Sequence, residues 1–174
     1  SGKSTLIKIL AGLLNPNTGS VKIDNINLTN NLFKWYENLS YVPQEINLIE
    51  GSLIENISPG TDKKDIDFPK IKEAIEKAEL TNFVEKTGLN KELNEFGQNL
   101  SGGEKQKIAL ARALYRNSSV ILLDEATSAM DIKSVNNFLK NFSKNFSDKT
   151  VICITHKTDQ LHIFDKVLDL NNFN

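Results

Sequence analysis

Near the start of the chain, Leu6, Ile7, Ile9, Leu10, Leu13 and Leu14 recur at helical spacing and predict a helix over residues 5–14, stopped near Asn15-Pro16. Gly19 then turns the chain into SVKID, a short alternating strand, and Asp24-Asn25 turns it again. LSYVPQE, 39–45, reads as a strand running into a loop at Pro43, since a proline pushes its predecessor towards extended geometry. The texture then changes. SLIENI, 52–57, opens a polar, mainly helical stretch in which Ile71, Ala74, Ile75 and Ala78 return every three or four positions after a loop at Pro59, Gly60 and Asp62. Another helix is predicted over 101–116, with Ile108, Leu110, Ala111 and Leu114 as its apolar positions. VILLDE, 120–125, and TVICIT, 150–155, are continuous apolar runs of buried-strand length. Between them Val135, Phe138, Leu139, Phe142 and Phe146 mark one further helix, and DKVLDL, 165–170, alternates as a last strand. Strand and helix in alternation predict an α/β fold, a mostly parallel sheet with helices on both faces. Residues 46–115 read as a helical subdomain inserted between a core of 1–45 and 116–170.

Composition narrows the function classes. The chain has 174 residues, 39% of them hydrophobic, which is enough for one ordinary core. A formal net charge of -1, with Arg112 and Arg116 as the only arginines, argues against a nucleic-acid partner. The single cysteine, Cys153, sits inside an apolar run and reads as a small buried hydrophobe, so neither a disulfide framework nor a cysteine metal site can be built. No signal peptide and no run long enough to span a bilayer is present; the chain reads as soluble, and as compatible with a machine whose membrane segments lie elsewhere.

The candidate chemistry begins with VILLDE. A buried strand ending in Asp124-Glu125 sets two carboxylates at the sheet edge where α/β folds bind ligands, one suited to Mg²⁺ and the next to orienting an attacking water. SGKST, residues 1–5, matches the end of a G-x-x-x-x-G-K-[ST] phosphate loop: Lys3 would reach β- and γ-phosphate oxygens, Ser4 would ligate Mg²⁺, and Thr5 would lie in the first turn of a helix whose N-terminus favours anions. A second such place follows at Ser101, Gly102 and Gly103, again immediately before a helix. One molecule does not easily bring both to one phosphate; two molecules head to tail do. Taken alone, Gln44 reads as a loop residue, His156 as incidental, and Asp131 as a helix N-cap.

As an ordered set these residues resemble the nucleotide-binding domain of ABC (ATP-binding cassette) ATPases. LSGGE, at 100–104, is the signature of that family, SGKST looks like the end of its Walker A loop, and VILLDE looks like its Walker B strand. The resemblance covers residue 1 to about 170. It implies a P-loop NTPase-type fold with a RecA-like core, and an ATP- and Mg²⁺-dependent ATPase in which Asp124 is the metal-side aspartate and Glu125 the general-base or water-orienting glutamate. Gln44 in YVPQE would then sense metal and γ-phosphate, His156 in ITHK would be the switch histidine, and Asp131 in SAMD would reach across a dimer. Ser1, Gly2, Lys3, Ser4 and Thr5 would bind the phosphates of one nucleotide, and Ser101, Gly102 and Gly103 those of the other, with Ser4, Gln44 and Asp124 around the metal.

The segment from Gln44 to Ile57 is similar to the exporter pattern Q-x-x-x-L-F-x-x-S-I-x-x-N-I, matched at Gln44, Leu48, Ser52, Leu53, Asn56 and Ile57, with Ile49 in place of the usual phenylalanine. Glu95 and Gly97 resemble the exporter E-x-G that faces a membrane domain. Lys3 and Gln44 stand 41 positions apart, too close for the coiled coil of DNA-associated relatives. The resemblance therefore implies export of a solute, a transmembrane domain fused upstream, and a place at the cytoplasmic face of the cell membrane. An importer subunit, or a relative acting on DNA or ribosomes, is the alternative. It further implies that the first strands and the adenine-stacking residue belong upstream of residue 1. A polypeptide of these 174 residues alone is then expected to bind ATP weakly or not at all.

Overall fold

In a computed structural model, which describes residues 2–170, three parallel strands form the central sheet. They are β3 (Leu39–Val42), β6 (Val120–Asp124) and β7 (Thr150–Ile154), in the order β3-β6-β7, while β1 (Lys22–Ile23) and β2 (Ile26–Asn27) form a separate antiparallel hairpin. The register pairs Val42 with Leu123 on one side of β6 and Asp124 with Ile154 on the other. Side chains alternate across a strand, so β6 feeds two cores. Leu122 packs with Ile7, Ala11 and Leu39 beneath α1 (Lys3–Leu10) and α2 (Leu32–Asn38). Ile121 and Leu123 join a larger cluster on the opposite face, which includes Leu53, Ile71, Leu80, Leu93, Ile108, Leu110 and Phe138. That face is built by α3 (Leu53–Ile57), α4 (Phe68–Lys77), α5 (Thr81–Thr87), α6 (Gly102–Arg116), α7 (Ile132–Lys140) and α8 (Phe142–Asn145). The mostly parallel sheet with helices on both faces is as the sequence predicts.

Three local expectations are corrected, and one helix forms that the sequence does not announce. The first helix stops at Leu10, not at residue 14. Gly12 takes φ 74, and Gly12 N–H and Leu13 N–H turn back to the carbonyls of Ile9 and Lys8, a Schellman closure that leaves Leu13 and Leu14 exposed. The helix α2 has no sequence signal of its own; Trp35 Nε1 donates to Leu10 O (3.1 Å) and Tyr36 Oη to Gly12 O (2.9 Å), so it forms as a cap on the end of α1. The single helix expected over 131–146 breaks at Asn141, whose Nδ2 donates to Asn137 O and competes with the helical ladder. Residues 165–170 form no strand. None of β3, β6 and β7 pairs with them, and Val167 and Leu168 are exposed; an alternating run becomes a strand only beside an edge that takes its hydrogen bonds.

Cys153 packs partly buried against the larger core, and burial pushes its thiol up to about 12, which leaves it a poor nucleophile. Among the described residues no helix is long and apolar enough to cross a membrane.

Candidate functional site

The C-terminal edge of β6 gathers the chemistry. Asp124 is 2% exposed; Tyr41, from the neighbouring β3, donates its hydroxyl to Oδ2 at 3.4 Å, while Oδ1 is buried with no hydrogen-bond partner. Burial pushes the Asp124 carboxyl above its ordinary range; the Tyr41 hydrogen bond lowers it, the neighbouring Glu125 charge raises it further, and Lys8 pulls it back. Burial, with the same contact to Asp124 adding to it, pushes the Tyr41 phenol up to about 12.

One residue on, Glu125 leaves the strand with φ 52, a left-handed conformation costing roughly 1 kcal/mol or more for a residue with a Cβ. The turn is held: Glu125 N–H donates to Ile154 O at 3.0 Å, and Glu125 O accepts from Ser128 N–H at 2.9 Å. This geometry aims the carboxylate between two side chains singled out in the sequence. Gln44 Nε2 donates to Oε2 at 3.2 Å, and His156 Nε2 stands 3.3 Å from Oε1. Four of the expected residues, Gln44, Asp124, Glu125 and His156, are thus brought to one place. Asp124 ends β6, and the other three come from the loops that follow three adjacent parallel strands.

The second group lies at the start of α6. Ser101 is its N-cap in a capping box: Ser101 Oγ and N–H both donate to Glu104 Oε2 (2.7 Å each), and Glu104 N–H donates back to Ser101 Oγ at 3.3 Å. Gly103 is required by a close approach, since a Cβ there would lie 2.9 Å from the Ala129 carbonyl oxygen. The glycine pair therefore packs against the loop that leads from Glu125 to Asp131. Asp131 caps α7 by accepting from Ser134 N–H (2.9 Å), and Ser134 Oγ donates to it at 2.6 Å; these bonds hold its carboxyl below the ordinary range. Gly2, Lys3, Ser4 and Thr5 stand at the start of α1, which packs on β6 and β7. Among the described residues no hydrogen bond or ion pair joins Lys3, Ser4 or Thr5 to Asp124 or Glu125. Ser1 lies outside the described residues.

The donor set is compatible with a magnesium ion. Among the described residues no group of three or more His, Cys, Asp or Glu forms a ready-made metal cage. Asp124 offers a buried, unpartnered carboxylate oxygen, and Ser4 is exposed at the first turn of α1. One carboxylate and a hydroxyl suit a small hard cation that shares its remaining positions with water and phosphate.

The raised Asp124 carboxyl has a measurable consequence. It binds its proton more tightly folded than unfolded, so its contribution to stability is present at low pH and is lost as pH rises from about 4 through the folded value. An asparagine does not titrate. Asp124→Asn is therefore expected to gain Tm relative to wild type progressively as pH rises from 4 to 7. Thermal unfolding across that range tests this, and a difference that stays flat or shrinks would contradict it.

Three residues that sequence reasoning missed support the site. Tyr41 steers Asp124. Lys157 Nζ donates to Thr127 O at 3.2 Å and ties the loop after β7 to the loop after Glu125. Gln106, 2% exposed, fixes that loop to α6. Its signal was legible in principle: a glutamine at 106 shares a helix face with the buried Ala109, Leu110 and Ala113.

The exporter-like segments also meet. Within 44–57, β4 (Gly51–Ser52) pairs antiparallel with β5 (Glu92–Leu93), just ahead of Gly97, which stands against Leu48. The buried Asn56 pins this region: its Nδ2 donates to Ile49 O, its Oδ1 accepts from Ile49 N–H, and Arg112 Nε donates to its carbonyl at 2.8 Å.

Known proteins resemble the chain over nearly its whole length. The chain is 37% identical to the ATP-dependent lipid A-core flippase 2 of Colwellia psychrerythraea, over 98% of this chain and 30% of that protein. It is 36% identical to the mesentericin-Y105 transport/processing ATP-binding protein of Leuconostoc mesenteroides, over 99% of this chain and 24% of that protein. The solved structure of a bacterial Atm1-family ABC exporter with ATP bound resembles it with a TM-score of 0.85 and 31% identity, over 92% of this chain and 28% of that chain. The chain thus spans less than a third of the length of each of these relatives. Residues 1–128 match the description of the ABC transporter family, and the chain belongs to that family.

Proposed function

We propose that the chain is the ATP-binding and ATP-hydrolysing part of an exporter-type ABC transporter, and that it powers the outward movement of a solute across a membrane. The observation that carries this reading is the hold on Glu125, between Gln44 and His156 and beside a buried aspartate with a free oxygen. In this reading Glu125 orients the water that attacks the γ-phosphate in line and takes its proton. Gln44 and His156 fix the carboxylate through its two oxygens and stand ready to turn towards phosphate. Lys3, with the backbone of Ser1, Gly2, Ser4 and Thr5, receives the β- and γ-phosphates at the start of α1. Ser4, Gln44 and Asp124 would hold Mg²⁺, whose charge neutralises the phosphate oxygens when bound.

Ser101, Gly102, Gly103 and Asp131 serve the nucleotide of a second nucleotide-binding domain, arranged head to tail. The capping box supports this use: Ser101 Oγ already donates to one anionic oxygen, Glu104 Oε2, and a phosphate oxygen can take its place. The helical subdomain, 46–115, carries this end, and the joined β4–β5 and 44–50 surface faces a transmembrane domain at the cytoplasmic face of the membrane. The exporter and transporter names of the relatives support the direction of transport.

The test is phosphate release by the full-length protein in lipid vesicles. ATP turnover that stops when Mg²⁺ is chelated is expected. No turnover, or turnover indifferent to chelation, overturns the reading.

A further inference from the structure

We infer that Gln106 is a positioning residue for Glu125, through which the start of α6 sets the orientation of the carboxylate in the same subunit. This rests on the reading that Glu125 orients the attacking water. The side-chain amide of Gln106 uses both of its ends. Nε2 donates to Glu125 O at 3.2 Å and to Ser128 Oγ at 2.9 Å, while Oε1 accepts from Ala129 N–H at 2.9 Å. Both ends of the turn from residue 125 to residue 129 are thereby registered to one side chain of α6.

Glu125 needs that registration. Its φ of 52 lies where a residue with a Cβ stays only if its surroundings hold it. β7 supplies one hold, the Ile154 carbonyl on Glu125 N–H. Gln106 supplies one on the opposite side of the same residue, at the carbonyl. The direction of the carboxylate is fixed by these backbone contacts before Gln44 or His156 touches it.

The link also has a sender. Gly103, one helical turn before Gln106, lies against Ala129 so closely that a methyl group would not fit, and Gly102 approaches Ala129 Cβ as well. Lys107, the next residue on α6, donates at 2.7 Å to Ser134 Oγ in the first turn of α7, and Ser134 in turn holds Asp131 at the far end of the loop. The first turns of α6 and the 125–131 loop therefore move as one body. An anion that shifts the Ser101 end shifts the Glu125 carbonyl with it.

A merely structural glutamine and a positioning one predict different kinetics. The experiment uses the full-length protein in lipid vesicles, with Gln106→Met and Gln106→Glu. The methionine keeps the volume and removes all three hydrogen bonds. Its kcat for ATP is expected to fall roughly tenfold, with KM changed less than about threefold, because the loss is of orientation and not of nucleotide binding. The Ala129 amide, deprived of its acceptor, should exchange hydrogen faster than in wild type. Gln106→Glu keeps the acceptor for Ala129 but, when ionised, gives Glu125 O no donor. A neutral carboxyl donates again, so its kcat relative to wild type should climb as pH falls from 8 to 6.

A kcat near that of wild type in both variants overturns the inference. So does a rise in KM with kcat unchanged, a pH-independent ratio for Gln106→Glu, or loss of ATP binding and folding in both variants, which would make Gln106 structural only. Failure of the underlying reading looks different: the Glu125→Gln protein would then hydrolyse ATP as fast as wild type, and both ideas fall together.

Discussion

Replacing Glu125 with glutamine is expected to lower ATP turnover of the full-length protein by about 10²–10⁴-fold while leaving nucleotide binding in place. The site makes this an unusually clean substitution. Gln44 Nε2 donates to one oxygen of Glu125 and His156 Nε2 approaches the other, so the carboxylate serves as a two-sided acceptor. An amide of the same shape keeps one acceptor and turns the other into a donor. It loses at most one of these contacts, does not disturb the turn at φ 52, and leaves Asp124 and the start of α1 as they are. What it removes is the ability to draw a proton from water. Turnover and binding therefore separate: phosphate release collapses, and a nucleotide titration shows affinity within a few-fold of wild type. Unchanged turnover would take Glu125 out of the reaction. An equal loss of binding would mean that its carboxylate serves the nucleotide and not the water.

The sequence made some of this site legible and hid the rest, for reasons that lie in particular residues. The strand VILLD could be read because β6 is buried on both faces, and a strand with two cores has no polar alternation to blur it. Asp124 and Glu125 followed at its end, where carboxylates are conspicuous against an apolar run. Gln44 and His156 carry no such contrast. In the sequence they stand out only as members of the ordered set that includes the LSGGE signature; that they meet at one edge follows from β3 and β7 flanking β6 in parallel, a fact of pairing that no single segment contains. The ending of α1 was misjudged because Leu13 and Leu14 continue the apolar rhythm past Gly12, and a left-handed glycine overrides a rhythm. The strand expected over 165–170 failed for the opposite reason: alternation describes a side-chain pattern, and a strand also needs a neighbour for its backbone. Gln106 looked like one polar residue in a helix, although its position on the apolar face was the clue.

The largest loss of stability is expected at Phe138. It is 2% exposed and sits edge-on to Phe142 and Phe146, with ring centroids 5.8 and 6.1 Å away, while Phe142 also meets Phe164 at 5.3 Å. This aromatic group is what the break at Asn141 achieves: α8 turns so that Phe142 at its start and Phe146 just past its end close on Phe138, and α7 and α8 together lie on the face of the sheet that holds Val151 and Cys153. Truncation to alanine removes a whole ring from a site whose neighbours are themselves rigid rings, so little of the cavity can collapse. Phe138→Ala is therefore expected to cost about 3–5 kcal/mol and to lower Tm by roughly 10 °C. Phe138→Leu, which refills most of the volume, should cost less than about 1.5 kcal/mol. Phe33→Ala, at a phenylalanine 76% exposed, should stay within about 0.5 kcal/mol. Thermal unfolding of the three variants against wild type orders them, and equal losses at Phe138 and Phe33 would refute the packing described. The site feels this core indirectly. Val151 and Cys153 rest on it, and three residues beyond Cys153 the chain delivers His156 to Glu125. Well below its lowered Tm, the Phe138→Ala protein should therefore turn over ATP with a kcat close to wild type, because the contacts that aim Glu125 come from Gln44, Gln106, His156 and Ile154 and not from the rings.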